Sequence, residues 1–166
     1  MPPAEPEDEA ARLYDSLGEA LYRYASMILA DREAAEDAVQ QVFAALVARG
    51  LRGVSDPERY LRRAVRNACY SLLRQRSSRG TPVAGSSDAD FLEAVPGNAD
   101  PVSHEIRIAL AAAIGDLPGE QREVLHLHVF EGRTFRESAE TIGESPSTVA
   151  SRYRYALAKL RQTLSG

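Results

Sequence analysis

Apolar residues recur at every third or fourth position along most of this chain, which is the spacing of one buried face of an α-helix. The first stripe consists of Leu13, Leu17, Leu21, Ala25 and Ile28. The second follows Asp31, a suitable N-cap, and consists of Ala35, Ala38, Val39, Val42, Phe43 and Leu46. No segment alternates apolar and polar residues in the way that a half-buried strand does. The pattern therefore predicts an all-α fold.

A third helix is predicted over residues 57–76, after a loop that contains Gly50 and Gly53, with Pro57 in its first turn. Its inward stripe is Leu61, Ala64, Val65, Ala68 and Leu72. Its outward side carries Arg59, Arg62, Arg63, Arg66 and Arg74, with Tyr60, Asn67 and Tyr70 among them. Arginine holds phosphate with a planar fork and aromatic rings stack on exposed bases, so this side predicts salt-dependent nucleic-acid binding. The alternative is a solvated basic face that pairs with acids of the neighbouring helix.

The carboxyl-terminal third predicts a helix-turn-helix. A helix over residues 119–131 is closed by Gly132, and Thr134 with Glu137 forms a capping box that starts the next one. Gly143 is a natural C-cap, and Ser145 and Pro146 begin the last helix. Its buried stripe is Val149, Tyr153, Ala156, Leu157, Leu160 and Leu164, which leaves Ser147, Thr148, Ser151, Arg152, Tyr155 and Lys159 outside. Such a helix can read base edges in the major groove; an ordinary helical hairpin is the alternative.

Charge divides the chain into four parts. The 166 residues carry a formal net charge of -4, but residues 11–80 hold 12 Arg against 8 acids. The acid excess lies in residues 1–10 and in residues 81–103, which each hold four acids and no base. Residues 104–166 are balanced, with 8 acids and 8 bases. We therefore expect an acidic tail (1–10), a helical domain (11–80), a flexible acidic linker (81–103) and a second helical domain (104–166).

Several classes of function are disfavoured by composition. No apolar run is long enough to cross a bilayer and the amino terminus lacks the features of a signal peptide, so a cytoplasmic protein without membrane insertion is expected. Cys69 is the single cysteine, which excludes an internal disulfide. His126 and His128 diverge on a helix, so no metal site is expected. No nucleophile–base pair or phosphate-cradling loop is present, and we expect neither an enzyme nor a cofactor.

The two halves resemble two parts of one known family. The stretches REAAEDAVQQVFAAL (32–46) and DPERYLRRAVRNACYSLLRQR (56–76) resemble region 2 of bacterial RNA polymerase sigma factors. Residues 117–161 are similar to region 4 of the same proteins, and the short connection is typical of the extracytoplasmic-function (ECF) group. The resemblance covers nearly all of residues 11–164. It implies core RNA polymerase, through its β′ clamp helices and β subunit, promoter DNA and an anti-sigma factor as partners.

The resemblance also implies roles for individual residues. Asp37, Gln40 and Gln41 match the face that docks on the β′ clamp helices. The loop 50–56 and the start of the next helix match the part that captures flipped -10 bases, here Arg52, Ser55, Asp56, Arg59 and Tyr60. Promoter DNA beside it would be held by Arg62, Arg63, Arg66 and Asn67. The -35 element would be read in the major groove by Ser147, Thr148, Ser151, Arg152, Arg154, Tyr155 and Lys159.

Three functions remain open on this basis: a sigma subunit that directs initiation, a free-standing helix-turn-helix regulator, and a sigma-like interaction protein that does not open promoters. Ala150 and Tyr155 stand where the family often has cations, which keeps the last of these in consideration. The predicted linker would span about 26 Å as a coil and about 75 Å when extended. We therefore expect the free protein to have either independently tumbling domains or a closed pair.

Overall fold

The computed structural model describes residues 5–80 and 101–166, and the regular elements in these two ranges are all helical. They are α1 (Pro6–Leu29), α2 (Arg32–Arg49), α3 (Pro57–Ser78), α4 (Pro101–Gly115), α5 (Gly119–Leu125), a π-helical turn (His126–Phe130), α6 (Phe135–Ile142) and α7 (Pro146–Leu164). The all-α prediction is confirmed. The predicted linker falls mainly on residues 81–100, which lie outside the described residues, as do its acids Asp88, Asp90, Glu93 and Asp100.

The first three helices pack together as a bundle in which α1 contacts both α2 and α3. The predicted stripe of α2 is buried throughout, and Leu21 of α1 and Leu61 of α3 face it. Helix α1 begins at Pro6, earlier than its apolar stripe predicts. Proline suits the first helical turn, and the acids at residues 7–9 interact favourably with the helix dipole there. Residues 6–10 of the predicted acidic tail are therefore the first turns of α1.

Side-chain caps fix where α2 and α3 begin. The Asp31 carboxylate accepts the backbone N–H of Ala34 at 3.1 Å and, with its other oxygen, the guanidinium of Arg76 at 2.7 Å. It thus joins the start of α2 to the end of α3. A cap of this kind contributes about 1 kcal/mol. Cys69 is buried in the same bundle, and burial raises the pKa of its thiol to about 12.

The second half contains the predicted helix-turn-helix, with one change before it. The helix expected over residues 119–131 ends as an α-helix at Leu125 and continues as a π-helical turn, where the Glu131 N–H donates to the His126 carbonyl at 2.9 Å. Both bonds of the Thr134–Glu137 capping box are present, and Gly143 adopts φ 81°. Ser145 caps α7. Leu164, predicted to be buried, is exposed because residues 161–166 extend beyond the packed helices.

The two halves form a closed pair with a shared interior. Val124 and Leu127 of the second half belong to the apolar core of the first three helices. In the opposite direction, Met27 of α1 is buried against Ile114 and Leu117. Among the described residues, no helix is both long and apolar enough to cross a membrane.

Replacing a buried leucine should lower the free energy of unfolding much more than replacing an exposed one. We expect Leu21→Ala to lower the free energy of unfolding by about 2–5 kcal/mol, because it leaves a cavity between α1 and its neighbours. The matched change Leu164→Ala, at an exposed position, should alter it by less than about 0.5 kcal/mol. Urea unfolding followed by circular dichroism measures both values. Equal losses in the two variants would contradict this core.

Candidate nucleic-acid and polymerase interfaces

The three residues predicted to contact polymerase lie together on the solvent side of α2. Asp37, Gln40 and Gln41 are all exposed, opposite the buried stripe of that helix. Their side chains offer one carboxylate and two amides, which can accept and donate hydrogen bonds without a strong net charge. The three side chains thus form a polar patch on the solvent side of α2.

A second exposed group surrounds the loop before α3. Gly50 and Gly53 have φ values of 71° and 82°, a conformation that glycine adopts without strain and that turns the chain between α2 and α3. The Asp56 carboxylate accepts the backbone N–H of Arg59 at 3.2 Å and caps α3. The ring of Tyr60 is 44% exposed. The predicted -10 residues of this loop and first turn are all exposed: Arg52, Ser55, Asp56, Arg59 and Tyr60.

The expectation that the arginine row of α3 faces outward is wrong at two positions. Arg63 and Asn67 are exposed as expected. The side chain of Arg62 is 5% exposed and that of Arg66 is 19% exposed. Both face the second half of the chain, because α5 and the π-helical turn pack against this side of the bundle. Their partners are acids of the second half rather than of the neighbouring helix.

Arg62 makes a two-pronged ion pair with Glu131. Its two terminal nitrogens donate to the two Glu131 oxygens at 2.8 and 2.7 Å. The Arg62 guanidinium also lies 4.9 Å from the ring centroid of Tyr24, and His126 Nε2 is 3.0 Å from a Glu131 oxygen. Burial opposes ionisation of Glu131, but its contacts with His126 and Arg62 outweigh burial and lower its pKa to about 2.

A second buried carboxylate belongs to Glu123 of α5, which is fully buried. Its oxygens accept hydrogen bonds from the Tyr24 hydroxyl, from the Arg66 guanidinium at 2.8 and 3.2 Å, and from the Tyr70 hydroxyl at 2.7 Å. These three donors all lie on α1 or α3. Burial, followed by the charge of Glu123, raises the pKa of both tyrosines, so each keeps its proton and remains a donor. Burial also disfavours the charge of Arg66, but Glu123 overcomes this and raises its pKa.

The residue before Glu123 contacts the end of α1 and completes the seam between the halves. Arg122 is buried, and its guanidinium donates to the carbonyls of Met27 and Ile28 at 2.6 Å each, and to that of Leu117. The last carbonyls of a helix have no partner within the helix, so Arg122 satisfies the end of α1 from outside. Burial lowers its pKa to about 10, which leaves it charged at neutral pH.

Sequence reasoning missed Glu123 and Glu131 as functional residues. One signal was available, because Glu123 lies four and seven positions before Leu127 and Phe130, on the apolar side of the predicted helix. A charged residue at such a position requires a buried partner. Nothing in the spacing identifies that partner as α3.

The helix-turn-helix presents most of its predicted reading residues to solvent. Ser147, Arg154, Tyr155 and Lys159 are exposed, and Thr148 and Ser151 are half-buried. The Arg154 guanidinium donates to the Ser151 hydroxyl at 3.1 Å. Arg152 is the exception, because its side chain is 19% exposed and lies 3.7 Å from Glu120 and 3.6 Å from Glu144. These acids offset the positive charge of Arg152 on α7.

Comparison with known proteins assigns each half to a family. Residues 13–79 match the family described as Sigma-70 region 2, and residues 113–162 match Sigma-70, region 4. The ECF RNA polymerase sigma factor SigL of Mycobacterium tuberculosis strain H37Rv is 31% identical over 163 residues, covering 92% of this chain and 86% of the relative. SigL of strain CDC 1551 has the same identity and coverage. The chain belongs to the ECF sigma factors.

The fold agrees with this assignment. The sigma factor RpoE from Bartonella quintana, in a co-crystal structure with the anti-sigma factor NepR, superposes with a TM-score of 0.71. The match covers 96% of this chain and 98% of that one at 23% sequence identity, which shows a common fold. The sigma factor described here therefore has the helical architecture of that protein, and the predicted membership of the ECF group is confirmed.

The Arg62–Glu131 pair should make the free energy of unfolding decrease at acidic pH. The pKa of Glu131 in the folded chain is about 2, below the ordinary value of 4.5, so the stabilisation is complete above about pH 5 and is lost as pH falls towards 2. We expect Glu131→Gln to unfold more easily than the wild type at pH 7. The two unfolding curves should converge near pH 2–3, where the wild-type carboxyl is increasingly protonated. Urea unfolding at pH 7, 5 and 3 measures the difference, and a constant difference would contradict the assignment.

Proposed function

We propose that this ECF sigma factor binds core RNA polymerase and directs initiation at selected promoters through their -10 and -35 elements. One observation carries the proposal. This member of the family has both an arginine-rich helix beside an exposed loop and a helix-turn-helix. The chemistry is binding rather than catalysis. Contacts to phosphate position the DNA, and contacts to bases select the sequence.

Polymerase docking is assigned to the polar face of α2. The exposed Asp37, Gln40 and Gln41 would contact the β′ clamp helices, and region 4 would lie on the β subunit. This attachment would supply what the closed chain lacks, namely two separated DNA-binding halves held at a fixed distance. Since one turn of DNA is about 34 Å, separate promoter elements require such spacing.

The -10 element is assigned to the loop 50–56 and to α3. A base that leaves the stack can place its face on the exposed ring of Tyr60, while Arg52, Ser55, Asp56 and Arg59 lie around it. Arg63 and Asn67 continue this surface along α3. Arg62, Arg63 and Arg66 all contact region 4 here, Arg63 through the Glu140 carbonyl at 3.2 Å. Arg62 and Arg66 are also covered by region 4, so the two halves must separate before either can hold DNA.

The -35 element is assigned to the first turns of α7. Ser147, Thr148 and Ser151 are short polar residues that can approach base edges, and Arg152, Arg154, Tyr155 and Lys159 flank them. The proposal also includes an anti-sigma factor as regulator. Its support is that the structurally similar RpoE of Bartonella quintana is in complex with one.

The whole proposal is tested by transcription. Purified chain and core polymerase, incubated with a library of genomic fragments, should produce transcripts with defined start sites that core polymerase alone does not produce. Absence of initiation from every fragment would overturn the proposal. Stable binding to polymerase without initiation would instead support a sigma-like interaction protein.

The docking face is tested by reversing one charge. We expect Asp37→Lys to weaken binding to core polymerase about tenfold or more, because like charges or a lost hydrogen bond replace a complementary contact. Glu105→Lys changes the net charge equally but lies on α4, away from this face, and should bind normally. Fluorescence anisotropy with labelled protein measures both affinities. Equal effects would indicate a general charge effect and no specific face.

The reading helix is tested with two exposed arginines. We expect Arg154→Ala to weaken holoenzyme binding to a promoter with an intact -35 element by roughly 1–3 kcal/mol. Arg161→Ala removes the same charge from the last turns of α7 and should have a smaller effect. On a promoter with a scrambled -35 element, Arg154→Ala should cause little further loss. Filter binding at one fixed salt concentration provides the comparison, and the same loss on both promoters would remove Arg154 from sequence readout.

A further inference from the structure

We propose that Tyr24, Arg62, Arg66 and Tyr70 form an anion site on region 2 that binds the phosphate backbone of single-stranded DNA, and that Glu123 and Glu131 of region 4 occupy it while the chain is closed. The inference rests on the proposed function, because it adds a phosphate site to the -10 surface and makes region 4 an internal competitor of DNA. It extends that surface to Tyr24, to which the sequence gives no role, and makes Tyr70 a hydroxyl donor rather than a stacking ring.

The first support is the chemistry of the occupants. A carboxylate and a phosphodiester each spread one negative charge over two oxygens, and the same donors bind both. Glu123 receives the hydroxyls of Tyr24 and Tyr70 and the guanidinium of Arg66. Glu131 receives both terminal nitrogens of Arg62, in the two-pronged geometry that arginine uses with phosphate. Each carboxylate therefore stands where a phosphate can bind.

The second support is that the donors are held by region 2 itself. Tyr24 and Arg62 contact each other through the face of the tyrosine ring, at 4.9 Å. Arg66 and Tyr70 do the same on α3, at 4.5 Å. The helices that carry them pack directly on each other, and Asp31 ties α2 to the end of α3. The four donors therefore remain together when region 4 leaves.

The third support is the character of the seam, which can open. On the α3 side it combines the apolar contacts of Val124 and Leu127 with three ion pairs. These are Arg62–Glu131, Arg66–Glu123, and Arg133 of region 4 3.6 Å from Glu58. Charged groups regain water when they separate, so an ionic seam resists opening less than an apolar one of equal size. Once the halves separate, Arg62 and Arg66 face solvent without their carboxylates, and single-stranded DNA can supply a new anion.

One glycine provides a way to open the chain without changing any charge. A Cβ at Gly119 would lie 3.1 Å from the backbone carbonyl oxygen of Ile28, across the seam. Leucine at this position cannot fit unless α5 moves away from α1. A Cβ at Gly115 would face open space within the described part of the chain. The variants Gly119→Leu and Gly115→Ala thus form an opener and its control.

The first measurement establishes closure. Small-angle X-ray scattering of the full chain should give a radius of gyration near about 15 Å for the wild type and for Gly115→Ala, the value of a compact chain of this length. Gly119→Leu should increase it by several ångströms, with unchanged helical circular dichroism. Glu123→Gln replaces the carboxylate that the region 2 donors bind with a neutral amide. It should therefore increase the radius of gyration as well. A wild type that is already expanded, or an opener that stays compact, overturns the closed state proposed here.

The second measurement uses a fluorescent single-stranded 12-mer of mixed sequence, without polymerase. If the closed state hides the site, the opened variants should bind it at least about tenfold more tightly than the wild type. The affinity of Gly119→Leu should also fall more steeply with salt, by about 0.7 in logarithmic slope for each phosphate gained. Gly115→Ala should match the wild type. An expanded Gly119→Leu chain with unchanged affinity overturns the proposal.

The third measurement tests which side chains bind the single-stranded DNA, with second substitutions added to the opened Gly119→Leu chain. Adding Arg66→Gln should reduce affinity several-fold and remove about 0.7 from the salt slope. Adding Tyr70→Phe should reduce affinity without changing the slope, because a neutral hydroxyl is lost. Arg12→Gln, an exposed arginine of α1, is the control for net charge and should change affinity less than Arg66→Gln.

Equal effects of Arg12→Gln and Arg66→Gln would show general attraction to DNA and overturn the site. These assays contain neither polymerase nor a promoter, so their result does not depend on initiation. A chain that fails to initiate but opens and binds as described retains the anion site. A chain that initiates but shows no site retains the proposed function alone.

Discussion

The buried carboxylate of Glu123 is the interaction on which the closed arrangement of this protein depends. A charge removed from water is stable only when other groups replace its hydration, and the loss of one partner from such a pair costs about 3–5 kcal/mol. Here the replacement comes from Tyr24, Arg66 and Tyr70, which lie on two helices of the other half. Arg122, the residue before it, donates to the carbonyls at the end of α1. Two adjacent buried charges thus set both the position and the rotation of α5 against region 2.

Stability of the closed chain and binding of DNA by α3 depend on the same arginine side chains. Arg62 and Arg66 cannot hold Glu131 and Glu123 and a DNA strand at the same time. In the proposed function, the contacts that stabilise the closed chain are lost when the basic helix binds DNA, and polymerase attachment to both halves compensates for them. An ionic seam suits such an exchange, because its groups are well solvated once separated, whereas a wholly apolar seam would expose surface that water does not accept.

The distribution of charge explains how an acidic chain can belong to a DNA-binding family. The net charge of -4 results largely from residues 1–10 and 81–103, while residues 11–80 carry an excess of four arginines. Region 4 is neutral overall, and two of its acids lie near Arg152 on the reading helix. Its attraction to DNA is consequently modest when it acts alone. Region 2 carries the basic surface, and in the closed chain Glu131 and Glu123 neutralise part of it.

The sequence by itself determined the helices, their caps and the outline of both DNA-binding elements. Asp31, Thr134, Glu137, Gly143 and Ser145 act as predicted, because caps and apolar stripes depend on neighbours within a few residues. The exposure of Asp37, Gln40 and Gln41 follows from the same periodicity. Tertiary structure alone decided that Arg62 and Arg66 are covered. Their partners lie 69 and 57 residues away, so no local pattern contains them. Helical spacing places an arginine on the polar side of its helix, but whether water, DNA or a distant carboxylate meets it there depends on how the halves pack.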